Sequence, residues 1–232
     1  MLQHDKSALP PIGDGLSFAP HRVSPRSLVM VRHGESESNV IARAIRRGEL
    51  FEFPDPFKEL SDREIRLTDT GREQASEAGA ALRERYPLGF DLILSSDYLR
   101  ARETAELIRN AAGWLHTEMV VEPLVGERNW GALMRLRPED FLNIGVSMWQ
   151  DPLSFRPPEG ETIRETMERA RSFFRQYHAA LTEKRVLLVS HGEFIHSVRA
   201  ELAGWDESHH EEVLRNGESK VRNCQVIEFG SE

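Results

Sequence analysis

The strongest constraint in this chain is a set of short apolar runs without alternation. LVMV in SLVMVRH, LIL in DLILSS (91–96) and VLLV in RVLLVSH (185–191) put aliphatic side chains at successive positions. Successive strand residues point to opposite faces, so such runs are stable as strands only where both faces are covered. Between them lie stretches with helical spacing. In DTGREQASEAGAALRERY (69–86), Ala75, Ala78, Ala81 and Leu82 share one face, Thr68 or Asp69 can cap the start, and Pro87 stops the end. YLRARETAELIRNAAG follows the second run, with Ser96 or Asp97 as its cap and Gly113 past its end. A long helix over 160–181 leads into the third run, EFIHSVRAELAG forms the next helix, and CQVIEF closes the chain as a strand. Residues 114–158, rich in Trp, Pro and Gly, read as irregular. Strands alternating with helices predict the α/β class: a three-layer α/β/α sandwich around a mostly parallel central sheet.

At 232 residues the chain can bury a sizeable core. Residues 28–232 read as a single domain. Residues 1–27 hold Pro10, Pro11, Pro20 and Pro25 without periodicity and read as a Pro-rich N-terminal arm. The arm is long enough to reach a neighbouring subunit, which leaves a homo-oligomer open. The net charge of −8 argues against nucleic-acid or membrane-surface partners, whose phosphates demand a basic face. No run is long enough to span a bilayer, and MLQHDKSALPPIGDGLSFAPH lacks the charged-then-apolar pattern of a secretory signal. Cys224, the single cysteine, reads as a small packing residue and permits no internal disulfide. A cytoplasmic location is the expectation.

Two of the apolar runs end alike, in VRHGES (31–36) and VSHGEF (189–194). In parallel sheets, ligands bind at the carboxyl ends of the strands. Neighbouring strands would bring His33 and His191 to that rim, with Ser95 and Ser96 ending the second run beside them. Arg32 precedes the first histidine, and Arg100 sits in the first turn of the following helix. Guanidinium groups bind phosphate oxygens bidentately, and helix N-termini add backbone N–H donors. Two arginines and two histidines around one point make a pocket for a dianion, even in an acidic protein. Neutral imidazole is also a nucleophile: one histidine could attack phosphorus while the other hydrogen-bonds the equatorial oxygens. A leaving alkoxide needs a proton. The best candidate donor is Glu127 in LVGERNWG, where Gly126, Trp130 and Gly131 make a tight, partly apolar loop. Glu35, Glu193 and Asp97 are the alternative acids.

RHGESESN, LTDTG, SSDYLRARETA, GERNWG, PPEGET and VSHGEF, in this order from residue 28 to about 229, carry a resemblance. Together they are similar to the histidine phosphatase superfamily, in its phosphoglycerate mutase-like branch. The resemblance implies an α/β sandwich, a phosphohistidine mechanism, and neither metal nor cofactor. It implies His33 as the nucleophile and Arg32, Arg100 and His191 as the phosphate pocket. Asn39 matches a further phosphate contact. Glu127 matches the proton donor that later activates water, and the backbone at Gly192 and Glu193 lies near the site. The implied partner is a small-molecule phosphomonoester.

The mutases of this branch carry an Asn-Arg-Phe-x-Gly-Trp stretch after the first motif. Here that region reads VIARAIRRGELFEFPDPFKELSDREIRLT, and the middle of the chain lacks the mutases' large insertion. The expectation is therefore a phosphatase with water as acceptor, contacting its substrate through residues 40–66 and 131–156. A phosphoglycerate mutase is the alternative. A non-catalytic phospho-ligand binder ranks third, because such a protein would be expected to have lost His33, Arg32, Arg100, Glu127 or His191. Arg43, Arg46, Arg47, Arg135 and Arg137 read as a solvated charged face in preference to a second anion site. His196 reads as structural and His209–His210, in HHEE, as surface loop. Trp114, Trp149 and Trp205 read as core, with Trp130, beside Glu127, as the exception.

Overall fold

The computed structural model describes residues 25–230 apart from 50–53, 56, 58 and 133–146. The expected N-terminal arm therefore falls almost wholly outside the described residues, as do Arg135 and Arg137. Strands β1 (Ser27–Arg32), β2 (Leu92–Ser95), β3 (Met119–Val121), β4 (Arg185–Ser190) and β5 (Val226–Phe229) form one sheet in the order β3-β2-β4-β1-β5. All neighbours are parallel except β5, which runs antiparallel to β1.

The apolar runs explain the layers. Odd and even positions of each central strand enter different cores. Leu28, Met30, Leu92, Leu94, Val186 and Leu188 face one side, against Phe173, Phe194 and Val198. Val29, Val31, Ile93, Leu187 and Val189 face the other, against Ala75, Ala78, Ala101 and Ile108. The first cover is built from α4 (Ile163–Gln176), α5 (His178–Glu183) and α6 (Gly192–Ala203), the second from α2 (Asp69–Arg85) and α3 (Leu99–Ala111). Helices α1 (Glu37–Arg46) and α7 (Glu207–Asn216) complete the described helical elements that bear on the site. This is the expected three-layer α/β/α sandwich.

Several local expectations differ from the structure. Helix α3 is not capped by Ser96 or Asp97; its N-cap is Tyr98, and the Ser96 hydroxyl instead accepts the Tyr98 N–H at 3.2 Å. The segment 160–181 is two helices. The chain leaves helical geometry at Tyr177, whose hydroxyl donates to buried Glu122 at 2.8 Å, and the new direction sends Leu181 into the core. The region 114–158 contains β3, a half-exposed edge strand too short to show a pattern. His209 and His210 lie in α7, not in a loop, and His210 is buried. Trp149 is exposed, whereas Trp114 is core as expected.

Burial of His210 makes a pair. Its Nε2 lies 2.8 Å from His196 Nε2, so one ring donates to the other. Burial lowers His196 to about 3 and His210 to about 4, and depresses His33 and His191 well below the ordinary range. All four stay neutral in the fold while the unfolded chain protonates them near pH 6.5. Folding then excludes protons that the unfolded chain binds, so stability falls as pH drops from about 6.5 towards 4. Glu127 and Glu193, whose values burial raises, oppose this over part of the range, two groups against four. The expected net loss is on the order of 1 kcal/mol per pH unit. Urea midpoints measured from pH 7 to pH 5 check it; a flat profile would contradict neutral burial of these histidines.

Candidate active site

The register of two strands builds the centre. Arg32 pairs with Ser190 across the β1–β4 ladder, so the next residues, His33 and His191, emerge side by side. The ladder continues for one more bond, from His33 N–H to Ser190 O at 2.9 Å. The two rings lie 5.1 Å apart between centroids, and both side chains are buried. From β2, Ser96 reaches the same rim through its N–H bond to Val189 O. The turn after His33 needs glycine for close approach. A Cβ on Gly34 would overlap the Gly71 carbonyl at the start of α2, and one on Gly71 would overlap that of Glu35.

Neighbours fix the tautomer of His33. Its Nδ1 lies 2.7 Å from Gly34 O, an acceptor only, so Nδ1 carries the hydrogen. Its Nε2 accepts from Arg100 Nε–H at 3.3 Å, so Nε2 holds a lone pair. Burial, with Arg100 and Arg32 adding to it, holds the imidazole well below its usual pKa. His191 has the opposite problem. Its Nε2 meets the Ser96 hydroxyl at 2.9 Å, but Nδ1 is buried without a hydrogen-bond partner. That atom faces the Glu127 carboxylate at 3.8 Å. His33, Glu127 and His191 each bring one donor or acceptor atom into a cluster within 4.8 Å.

Two cations flank the cluster. Arg32 donates from Nη1 to Val221 O at 2.6 Å, while its Nε is buried and unpartnered. A Cβ on Gly192 would lie 3.7 Å from that Nε, which puts the guanidinium against the first turn of α6. His191 is the N-cap of this helix, so the N–H groups of its first turn open towards the site. Arg100 enters from α3 and is only 3% exposed. A metal dication would sit beside two guanidinium groups that repel it, whereas an anion is attracted by both.

Glu127 is 14% exposed, and burial raises its pKa against the pull of Arg100 and Arg32. Its Oε1 accepts the Arg128 N–H at 3.0 Å. Arg169 holds its loop, donating to Leu124 O, Gly126 O and Glu127 O and pairing with Glu161. Of the alternative acids, Glu35 pairs with Arg43 and Asp97 with Arg63. Glu193, pushed up by burial to about 7, faces the buried guanidinium of Arg128 at 3.5 Å. Asn39 caps α1: its side-chain oxygen accepts from Ser36 N–H at 3.3 Å and from Asn223 Nδ2 at 3.0 Å. Asn223 also donates to His33 O, which ties Asn39 to the backbone of the site.

Sequence reasoning missed Arg128, Arg169, Asn223 and Asp62. Arg128 donates to Glu161 O and Phe155 O, and its guanidinium lies 4.6 Å from the Trp130 ring centroid. Its place beside Glu127 in GERNWG was the only signal available.

The family model of the histidine phosphatase superfamily (branch 1) matches residues 28–226, and the chain belongs to that superfamily. A 2,3-bisphosphoglycerate-dependent phosphoglycerate mutase of Parvibaculum lavamentivorans is 31% identical over 196 residues, 82% of this chain and 84% of that protein. Among solved structures, a mycobacterial glucosyl-3-phosphoglycerate phosphatase complexed with VO3 has a TM-score of 0.66 at 23% identity, covering 88% of this chain and 90% of that one. A phosphoserine phosphatase of Entamoeba histolytica in complex with 3-phosphoglyceric acid has a TM-score of 0.61 at 21% identity, covering 87% and 89%. These structures share the fold. Among the described residues, no helix is long and apolar enough to cross a membrane.

Proposed function

We propose that the chain, through residues 28–232 acting as one catalytic domain, hydrolyses small phosphomonoesters by way of a phosphohistidine on His33, without a metal. The observation that carries this reading is the fixed tautomer of His33. Nδ1 carries the hydrogen, so the lone pair is on Nε2, where it accepts from Arg100 Nε–H, and Arg32 is the second cation near the ring.

In this mechanism Arg32, Arg100 and the α6 N–H groups at Gly192 hold the phosphoryl oxygens. Asn39 caps α1 with its amide oxygen, which leaves the nitrogen end as its donor to the site. The unpartnered Nδ1 of His191 donates to an equatorial oxygen as charge builds there. As the phosphoryl group enters, Arg100 Nε–H turns from His33 Nε2 to a phosphoryl oxygen and frees the lone pair. His33 Nε2 attacks phosphorus, the ester P–O bond breaks, and Glu127 gives its proton to the leaving alkoxide. The Glu127 carboxylate then takes a proton from water as that water attacks phosphorus. The P–N bond breaks, orthophosphate leaves, and both residues return to their starting state.

A cavity of about 690 Å³ opens beyond Glu127, where the leaving alcohol would lie. Asp62, Glu127, Glu161, Glu165 and Glu168 line it, against Arg63, Arg156 and Arg169. Each of these arginines already pairs with an acid: Asp97, Glu165 and Glu161 respectively. Among the described residues the cavity thus offers no uncommitted cation for a substrate carboxylate. That supports hydrolysis of an ester with a neutral polar alcohol over mutase chemistry on a phosphorylated acid. The mutase reading stands second, because the curated relatives carry that name. The assay supplies an aryl phosphate and 3-phosphoglycerate without added metal. Orthophosphate release from the aryl ester, with no 2-phosphoglycerate formed, is the expected result. Isomer formation without release would overturn it in favour of the mutase.

A further inference from the structure

Arg100 is not free to give its whole fork to a phosphate. Its Nη1 donates to Asp62 O at 2.6 Å and to Asp62 Oδ1 at 2.9 Å, and its Nη2 donates to Asp62 Oδ2 at 3.1 Å. This is the bidentate guanidinium–carboxylate geometry that a phosphate would otherwise use. With Nε–H directed at His33, four of the five N–H donors are committed. The carboxylate is 17% exposed at the edge of the pocket and lines the cavity beyond Glu127.

The clamp is itself anchored. Asp62 opens a 3-10 turn, Asp62–Glu64, closed by the Ser61 and Glu64 capping box, with Ser61 N–H donating to Glu64 Oε2 at 2.9 Å. The next residue, Arg63, lies over the Tyr98 ring at 5.1 Å and pairs with Asp97. A carboxylate held this way aims Arg100 Nε at His33 Nε2 and cancels one of the two positive charges that a dianion would meet. It also sits close enough to push the Glu127 carboxyl towards its protonated form.

Resting on the phosphatase reading, we propose that Asp62 is a positioning residue that clamps Arg100, weakening the hold on the phosphate dianion and so speeding release of orthophosphate. A simple structural tie between the 3-10 turn and α3 would predict lost stability and unchanged anion affinity. The clamp predicts a different pattern.

The experiment measures orthophosphate binding by calorimetry, with the pH profile of aryl phosphate turnover, for wild type, Asp62→Asn, Asp62→Ser and Asp62→Glu. The neutral variants are expected to bind orthophosphate about tenfold tighter, since one nearby negative charge is gone. Their KM and kcat should both fall, and their alkaline limb should move to lower pH as Glu127 loses a raising influence. Asp62→Glu, which keeps the charge, should stay near wild type. Neutral variants that bind orthophosphate no tighter, or that lose the fold while Asp62→Glu keeps it, would make Asp62 a structural tie and overturn the proposal. Wild type that binds no orthophosphate at all would overturn the phosphatase reading, and this proposal with it.

Discussion

His33→Ala is expected to lower turnover of every phosphomonoester substrate on the order of 10⁴-fold or more. The other groups cannot take over the covalent step. His191 Nε2 is engaged with Ser96, and its Nδ1, the hydrogen-bond donor in the proposed mechanism, would need the opposite tautomer to attack. Alanine leaves Arg32, Arg100 and the start of α6 in place, so orthophosphate binding should persist. The loss therefore falls on kcat and not on anion affinity. Steady-state kinetics together with calorimetry would separate the two. A variant that keeps more than about a tenth of the activity would mean that water, not His33, attacks phosphorus.

Glu127→Gln is expected to split by leaving group. An alkyl phosphate needs its departing oxygen protonated, so kcat should fall about 10²- to 10⁴-fold. A nitrophenyl ester leaves as a stable anion and needs no acid. Its first step should survive while the second, which needs the carboxylate to take a proton from water, slows. The result is a burst of nitrophenolate followed by slow turnover, with phosphoenzyme accumulating. Glu193→Gln is the control. Its carboxyl also has a raised pKa, at about 7, but it faces Arg128. A larger loss in Glu193→Gln than in Glu127→Gln, or no burst in the latter, would move the acid role to Glu193.

The fold and half of the site were legible for one shared reason. β1, β2 and β4 are buried on both faces, so their sequences are continuous apolar runs, and the polar residues that break those runs mark the rim. His33, His191, Arg32 and Arg100 stand at or just past strand ends, where sequence order translates directly into position. The remainder depends on contacts that no local pattern encodes. β3 leaves no signal, because a short, half-exposed edge strand shows no period. HHEE looks solvated, yet α7 turns the His210 ring towards His196. Asp62 belongs to an unremarkable SDRE stretch whose meaning appears only when Arg100 arrives from α3. Arg128 is buried and Arg169 half-buried by segments distant in the chain, and such an arginine has no composition signature.

The central claim is a covalent bond from phosphorus to His33 Nε2. The most direct measurement mixes Glu127→Gln with an aryl phosphate, quenches in base to preserve phosphohistidine, and locates the phosphoryl group by peptide mass spectrometry. The account predicts one phosphoryl group per chain, on the peptide containing His33, acid-labile and absent from the His33→Ala, Glu127→Gln double variant. A phosphoryl group on another residue, or a nitrophenolate burst with no phosphorylated peptide, would contradict it.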